Sequence, residues 1–344
     1  CPIHLLLFGD GAADNRMLSS EWLPLKNRGV EFLLTYESEN SLNVNSYVAD
    51  DYFGMVTEGE DALHDGGKTV SVGIGRFTVR TPFEARQAVD KCIAYGENKQ
   101  MGDWKLNSVI VADNGDNYGH LRRGELLSQV INAKMPEMLL TKVYFDAFPK
   151  ETKNGLTTFP GAKRKLMNAL DKGMLIFNYT GHGNPYALSD EQIVKLSDIQ
   201  QFDYKHLPLW ITATCDFANF DHPITSAGES AFLNANSGAI ALVTTARVVY
   251  DIYNQQLNEA FLEEILKRNK EGKSATFGEA IKRSKNRLRG SSDEGALVNK
   301  LHFFLIGDPL LSLNIPSHRA VVERINGNEV GGKAIELHAL DKVT

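Results

Sequence analysis

Apolar positions along the chain fall into short runs separated by longer amphipathic stretches. Runs at residues 3–8, 31–36 and 69–74, with a weaker one at 46–48, predict strands in the first hundred residues. A second series follows at 108–112, 141–145, 174–179, 209–213, 239–244 and 301–306. Between them, apolar residues recur every three or four positions, as on one face of a helix. Thr81-Pro82-Phe83-Glu84, Ser226 with Glu229, and Thr276 with Glu279 are capping boxes that open helices. Further helices are predicted at 126–134, 160–172 and 254–269. Ser189 with Gln192 is another such box and predicts a helix between the strands at 174–179 and 209–213. Strand, helix, strand means a parallel pair whose carboxyl ends share one sheet edge, where open α/β sheets bind ligands.

This alternation predicts an α/β protein with mostly parallel sheets covered on both faces. The polar, glycine-bearing stretch at 96–103 divides it into an α/β subdomain at residues 1–100 and a second at 101–316. After Pro316 the period becomes two, and Asn326-Gly327 predicts a hairpin. Residues 317–344 therefore read as the start of a truncated β module.

The chain has 344 residues, a net charge of −6, 42% hydrophobic and 23% charged residues. That is a globular composition with no basic footprint for nucleic acid. No apolar run is long enough to span a bilayer. The chain opens mid-pattern beside a strand and reads as an excised fragment, so the missing targeting segment carries no information. Its three cysteines are no disulfide framework. Cys1 and Cys92 are a pairing option in an oxidising compartment, with Cys92 as a small buried hydrophobe on a helix the favoured reading.

Two of the predicted strands end in reactive residues. The run at 174–179 leads into Thr180-Gly181-His182-Gly183, and that at 209–213 leads through Thr214 to Cys215. A cysteine nucleophile needs a base for its proton and donors for the oxyanion. His182 is the candidate base and Cys215 the candidate nucleophile, its thiol expected below the free value because a neighbouring imidazolium stabilises thiolate; the backbone N–H groups of Gly183 and Cys215 are the candidate oxyanion donors. Together they describe acyl transfer through a thioester, chemistry that needs no cofactor. A lone cysteine at a strand end is ordinarily a core residue, and a histidine between glycines ordinarily a loop residue. Their placement on consecutive strands is what makes them a pair. His222 and His206 are rival bases, and no close Cys/His pairing supports tetrahedral metal ligation.

These residues resemble the caspase–gingipain–legumain clan of cysteine peptidases, in which the histidine follows the third strand of the sheet and the cysteine the fourth. Within the clan the chain is similar to the gingipain family. The similarity runs through Leu7-Phe8-Gly9-Asp10-Gly11, Asp50-Asp51-Tyr52-Phe53-Gly54, Gly73-Ile74-Gly75-Arg76-Phe77, Ala112-Asp113-Asn114 and Leu305-Ile306-Gly307-Asp308-Pro309. More narrowly, Asn178-Tyr179-Thr180-Gly181-His182-Gly183-Asn184 with Ala213-Thr214-Cys215-Asp216-Phe217 and Phe220-Asp221 resembles the cell-surface sortases of the type IX secretion system.

The resemblance implies a caspase-like three-layer α/β/α fold followed by an immunoglobulin-like module. It implies cargo proteins carrying carboxy-terminal β-sandwich signals, cleaved and transferred to an amine of anionic lipopolysaccharide or to water. It places the enzyme on the outer membrane with the barrel protein PorV as partner. It also implies an acidic residue supporting the dyad, for which Glu125 and Asp113 are the candidates. A hydrolytic gingipain-like endopeptidase and a non-catalytic scaffold are the alternatives. Asn114, Asp116, Gly119 and Glu125 are spaced like a calcium loop, with Asn first and Tyr118 fifth, unlike the EF-hand. A solvated turn is the expected reading there; structural calcium at Asn114, Asp116 and Glu125 is the alternative that the gingipain resemblance adds.

Overall fold

The computed structural model describes residues 3–38, 48–58, 69–288, 299–316, 321–330 and 336–344. Eight strands form one sheet: β1 (His4–Phe8), β2 (Gly73–Phe77), β3 (Asn107–Ala112), β4 (Leu139–Tyr144), β5 (Ile176–Thr180), β6 (Leu209–Ala213), β7 (Ala241–Thr245) and β8 (Phe303–Ile306). Their spatial order is β1-β2-β8-β7-β6-β5-β3-β4. All neighbours are parallel except β7 and β8, which are antiparallel. Strands from residues 1–100 and from 101–316 thus lie in a single mixed, mostly parallel sheet, as expected for an α/β chain.

Every residue of β2, β5, β6, β7 and β8 is buried. Successive side chains on a strand point to opposite faces, so both faces of these strands are covered. Helices provide the cover: α1 (Pro82–Gly96), α2 (Gly119–Lys134), α3 (Pro160–Lys172), α4 (Ala227–Leu233), α5 (Asp251–Ile265) and α6 (Phe277–Arg287). Helix α5 packs on both α2 and α6, while α1 packs on α4. The predicted caps are in place. Thr81, Ser226 and Thr276 each accept the backbone N–H three residues on, from Glu84, Glu229 and Glu279. Such a cap contributes about 1 kcal/mol. At the centre of the sheet, Trp210 of β6 meets Phe177 of β5, ring centroids 4.7 Å apart.

Three expectations are corrected. No helix starts at Ser189: Ser189 and Gln192 both take positive φ (63° and 56°). The segment folds instead as a three-stranded antiparallel sheet of Gly183–Asn184, Ala187–Leu188 and Val194–Lys195, followed by one helical turn at Leu196–Ile199. Turning back on itself buries Ala187, Leu188, Ile193 and Val194, which an exposed helix start would not do. Residues 31–36 are not a strand; Glu37 makes an isolated antiparallel bridge to Val48. The strand expected at 69–74 lies at Gly73–Phe77. Its glycines allow close approach: a Cβ on Gly75 would collide with the Gly307 carbonyl. Its Arg76 is fully buried and held by Asp50 through two hydrogen bonds of 2.8 and 2.6 Å.

The predicted hairpin is present, Arg324–Ile325 pairing with Asn328–Glu329 across Asn326 and Gly327, both at positive φ. Residues 46–47 of the weak predicted strand, and Cys1 of the possible disulfide, lie outside the described residues. Cys92 is buried with a free thiol that burial pushes up to about 12, the state of an inert core cysteine.

Candidate active site

Strands β5 and β6 are parallel neighbours with Thr180 opposite Ala213. Each chain leaves the sheet there, and His182 and Cys215 follow two residues later. The two loops stay in contact beyond the last pair. Gly181 donates its N–H to the Ala213 carbonyl at 3.4 Å. A Cβ on Gly183 would collide with the Thr214 hydroxyl, so the two backbones run against each other immediately before Cys215. With strands about 4.8 Å apart, the register brings both residues to one carboxyl edge, β5 being third and β6 fourth in the series that begins at β3.

A buried carboxylate holds the histidine loop. Asp113, at the end of β3, accepts the His182 N–H at 2.6 Å and the Gly115 N–H at 2.9 Å. The Tyr179 hydroxyl lies 3.3 Å from Asp113 and donates to the His182 carbonyl at 2.6 Å. The other Asp113 oxygen takes the Nδ1 of His120. Burial raises the Asp113 carboxyl, but His120 and the two amides outweigh it and hold it below the usual carboxylate range. A Cβ on Gly181 would strike both Asp113 and the Tyr179 hydroxyl, so only glycine passes between them.

The His182 ring is half exposed. Its Nε2 lies 3.5 Å from Asp116 Oδ1, and its plane meets the His120 ring edge to face at 5.0 Å. Asp116 is presented by an unusual backbone: Asp116, Asn117 and Tyr118 all take left-handed φ, at 54°, 48° and 64°. Each such residue costs about 1–2 kcal/mol. Strain of this kind gathers where a side chain must be aimed. Beyond it, α2 carries the buried His120, whose Nε2 is 3.4 Å from Asp116 and 3.9 Å from Asp251. Burial lowers the His120 imidazole, yet Asp113, Asp251 and Asp116 together bring it above its ordinary value.

Cys215 is partly buried, and its thiol donates to the Val249 carbonyl at 3.7 Å. Its backbone N–H meets no acceptor among the described residues. Burial pushes this thiol up; the Val249 carbonyl opposes that and Asp216 adds to it. The expectation of a resting thiolate stabilised by an imidazolium is therefore not met. The following loop is pinned from several sides. Asp216 and Ala218 donate to the carbonyls of Arg247 and Thr245 at 3.3 and 3.0 Å. Arg247 holds Asp221 with two hydrogen bonds of 2.8 and 2.5 Å. Arg80 binds Asp10 at 2.5 Å and donates to the Pro223 and His222 carbonyls at 2.7 and 3.0 Å.

The remaining sequence candidates lie as follows. Of the two acidic candidates, Asp113 grips the His182 backbone while Glu125 puts both oxygens on Lys142 at 2.9 and 2.8 Å. The carboxylate facing the imidazole is Asp116. It was legible only as part of the loop spacing with Asn114 and Glu125, and Glu125 is not among the side chains gathered round it. His222 turns its ring onto the Ile224 N–H at 3.2 Å. His206, before β6, stacks on Trp104 at 4.7 Å. The role of His120 carried no sequence signal, because its partners come from three separate segments.

The family model of peptidase family C25 matches residues 2–314. A search of curated proteins finds no match. Among solved structures, the fold is similar to the complex of pro- and mature domains of RgpB from Porphyromonas gingivalis. That likeness has 16% identity and a TM-score of 0.66, covering 91% of this chain and 66% of that one. It is also similar to the Arg-specific cysteine proteinase gingipain R, with 15% identity, a TM-score of 0.66 and coverage of 90% and 64%. Dimeric latent PorU from Porphyromonas gingivalis is 31% identical, with a TM-score of 0.47, covering all of this chain and 26% of that one. The chain thus spans less than two thirds of the length of each of these structures. The gingipain structures share its large, mostly parallel sheet flanked by helices. With the family model covering nearly all of it, the chain belongs to peptidase family C25, a family of cysteine peptidases.

Proposed function

We propose that Cys215 and His182 form the catalytic dyad of a sortase-type cysteine endopeptidase. The observation that carries this reading is the register of β5 on β6, which sets Thr180 opposite Ala213 with the two reactive residues equally far beyond. As His182 Nε2 faces Asp116, Nδ1 is left to take the sulfur proton. Sulfur then attacks the scissile carbonyl carbon. The oxyanion is met by the N–H groups of Cys215 and Gly183. His182 returns the proton to the leaving amine, and a thioester remains on Cys215. An incoming amine gives a new amide, whereas water gives a free acid; in either case His182 takes the nucleophile's proton and the sulfur leaves. A thiol that rests protonated suits this scheme, because the proton moves only when substrate completes the site.

The sequence around His182 and Cys215 supports a particular substrate class: secreted cargo with a carboxy-terminal β-sandwich signal, cleaved before that signal. The acceptor is an amine of anionic lipopolysaccharide, with water as the competing route. In this reading the enzyme works on the outer face of the outer membrane beside the barrel protein PorV, and residues 317–344 begin an immunoglobulin-like module. The test is cargo processing by a Cys215→Ala enzyme, with mass spectrometry of the product carboxyl terminus. An amide-linked product that disappears in the variant supports transfer. A free acid alone means a hydrolase, and normal processing by the variant sinks the dyad.

A further inference from the structure

Asp116, His120 and His182 come together in a cluster larger than acyl transfer requires. One oxygen or ring nitrogen from each lies within 4.8 Å of the others. Catalysis uses one imidazole, yet a second, buried one stands edge to face against it. Moreover, His120 is prepared as a ligand. Its Nδ1 is taken by the buried Asp113, which fixes the ring and turns Nε2 toward Asp116 and His182. A carboxylate behind an imidazole is the support that metal-binding histidines have.

We infer that Asp116, His120 and His182 form a binding site for a divalent transition-metal ion such as zinc, and that its occupancy withdraws His182 from catalysis. The dimensions fit. Metal–ligand bonds of about 2.0–2.1 Å in a tetrahedron place ligand atoms about 3.3 Å apart. The Asp116 carboxylate lies 3.4 Å from His120 Nε2 and 3.5 Å from His182 Nε2. These contacts use different oxygens, Oδ2 and Oδ1, so one oxygen draws toward both rings as the imidazole edge closes from within 4.8 Å. Three protein ligands leave a fourth position for water. Two nitrogens and one carboxylate favour zinc, cobalt, nickel or copper over calcium, which prefers oxygen alone. His120 comes four residues after Asp116, whereas His182 comes from another loop, so no compact sequence motif announces the set.

The consequence for His182 follows from its two nitrogens. With Nε2 bound to the metal, Nδ1 keeps its hydrogen and has no lone pair to receive the sulfur proton. Bound metal therefore blocks thiol activation without a metal–sulfur bond. This consequence rests on the dyad proposed above; the site itself does not.

The test uses the described chain carrying Cys215→Ala, titrated with cobalt(II) and followed by its visible absorption. One equivalent is expected to bind, displaced by zinc, and His120→Asn or His182→Asn should weaken it at least thirtyfold. Asp113→Asn keeps all three ligands and should weaken binding 10- to 100-fold. Because such variants are liable to misfold, labelling of His182 by diethyl pyrocarbonate is measured on the Cys215→Ala chain with and without zinc. Protection of His182 at one equivalent supports the site. Unchanged labelling at saturating zinc, or cobalt affinity altered less than threefold by both histidine substitutions, overturns it. In the chain with Cys215 intact, chelator-reversible inhibition with the same midpoint supports the catalytic consequence, and full activity with metal bound overturns that part. If instead the dyad reading fails, Cys215→Ala still processes cargo and metal leaves activity unchanged, while the cobalt spectrum stays intact.

Discussion

Asp113→Asn is the substitution that separates support of the histidine loop from catalysis itself. The carboxylate takes Gly115 and His120 on one oxygen and His182 and Tyr179 near the other. The best placement of an asparagine keeps its oxygen toward Gly115 and His120. Its NH2 group can then donate to the Tyr179 oxygen, whose own hydrogen already serves the His182 carbonyl. One contact has no such rescue, because the NH2 group faces the His182 N–H. A buried unpaired donor costs about 1–3 kcal/mol, and loss of the charge behind the His120 bond adds about 1 kcal/mol. The sum, about 2–4 kcal/mol, corresponds to a fall in Tm of roughly 3–6 °C for a chain of this size. The assay is a calorimetric or circular-dichroism melt in chelator-treated buffer, paired with the rate of acylation of Cys215. Release of the His182 amide should displace the ring and slow acylation by about 10²-fold. A Tm within 1 °C of the parent, with acylation within threefold, would refute the assigned role of Asp113.

Other expectations follow from the same geometry. The pH profile of Cys215 alkylation by iodoacetamide should have its midpoint above the free-thiol value of about 8.5, because burial favours the protonated form; a midpoint near 7 would mean a resting ion pair. The same sign makes ionisation of Cys215 oppose folding only above that free-thiol value, so Cys215→Ser should relieve an alkaline loss of stability and change little at pH 7. Gly181→Ala should cost more than 2 kcal/mol or block expression, since its methyl meets Asp113 and the Tyr179 hydroxyl; an unaltered melt would refute that crowding. Arg80→Leu leaves Asp10 and Glu229 buried without their shared cation and frees two carbonyls of the loop after Cys215. It should destabilise by about 3–5 kcal/mol, read by denaturant titration, and a loss below 1 kcal/mol would contradict it.

Much of this arrangement was legible in the sequence where the signal is local. Apolar runs marked β3 to β7 and the edge from which His182 and Cys215 emerge. Thr81, Ser226 and Thr276 announced helix starts because a cap is settled within four residues. Local rules failed where distant contacts decide. Ser189 and Gln192 match a helix start, but burying Ala187, Leu188 and Val194 turns the chain into a small sheet with both residues at positive φ. Strand β2 was placed four residues early because two glycines and an arginine disguise it. The Gly278 carbonyl against Gly73, the Gly307 carbonyl against Gly75 and the buried Asp50 against Arg76 explain them. The company of His182 was least legible. His120 and Asp116 reach it through α2 and three successive left-handed residues, and neither feature has a sequence period. Burial of Cys215 by neighbours far along the chain likewise reversed the expected direction of its thiol.

In the proposed mechanism the sulfur of Cys215 carries the acyl group and His182 enables it. The most direct measurement is intact-mass analysis of the protein after brief exposure to cargo and an acid quench. A mass increase equal to the cargo segment before its signal is expected, mapped by digestion to the peptide containing Cys215, cleared by added amine and missing in His182→Ala. Cargo turnover with no adduct on Cys215, or an adduct that forms equally fast in His182→Ala, would contradict it.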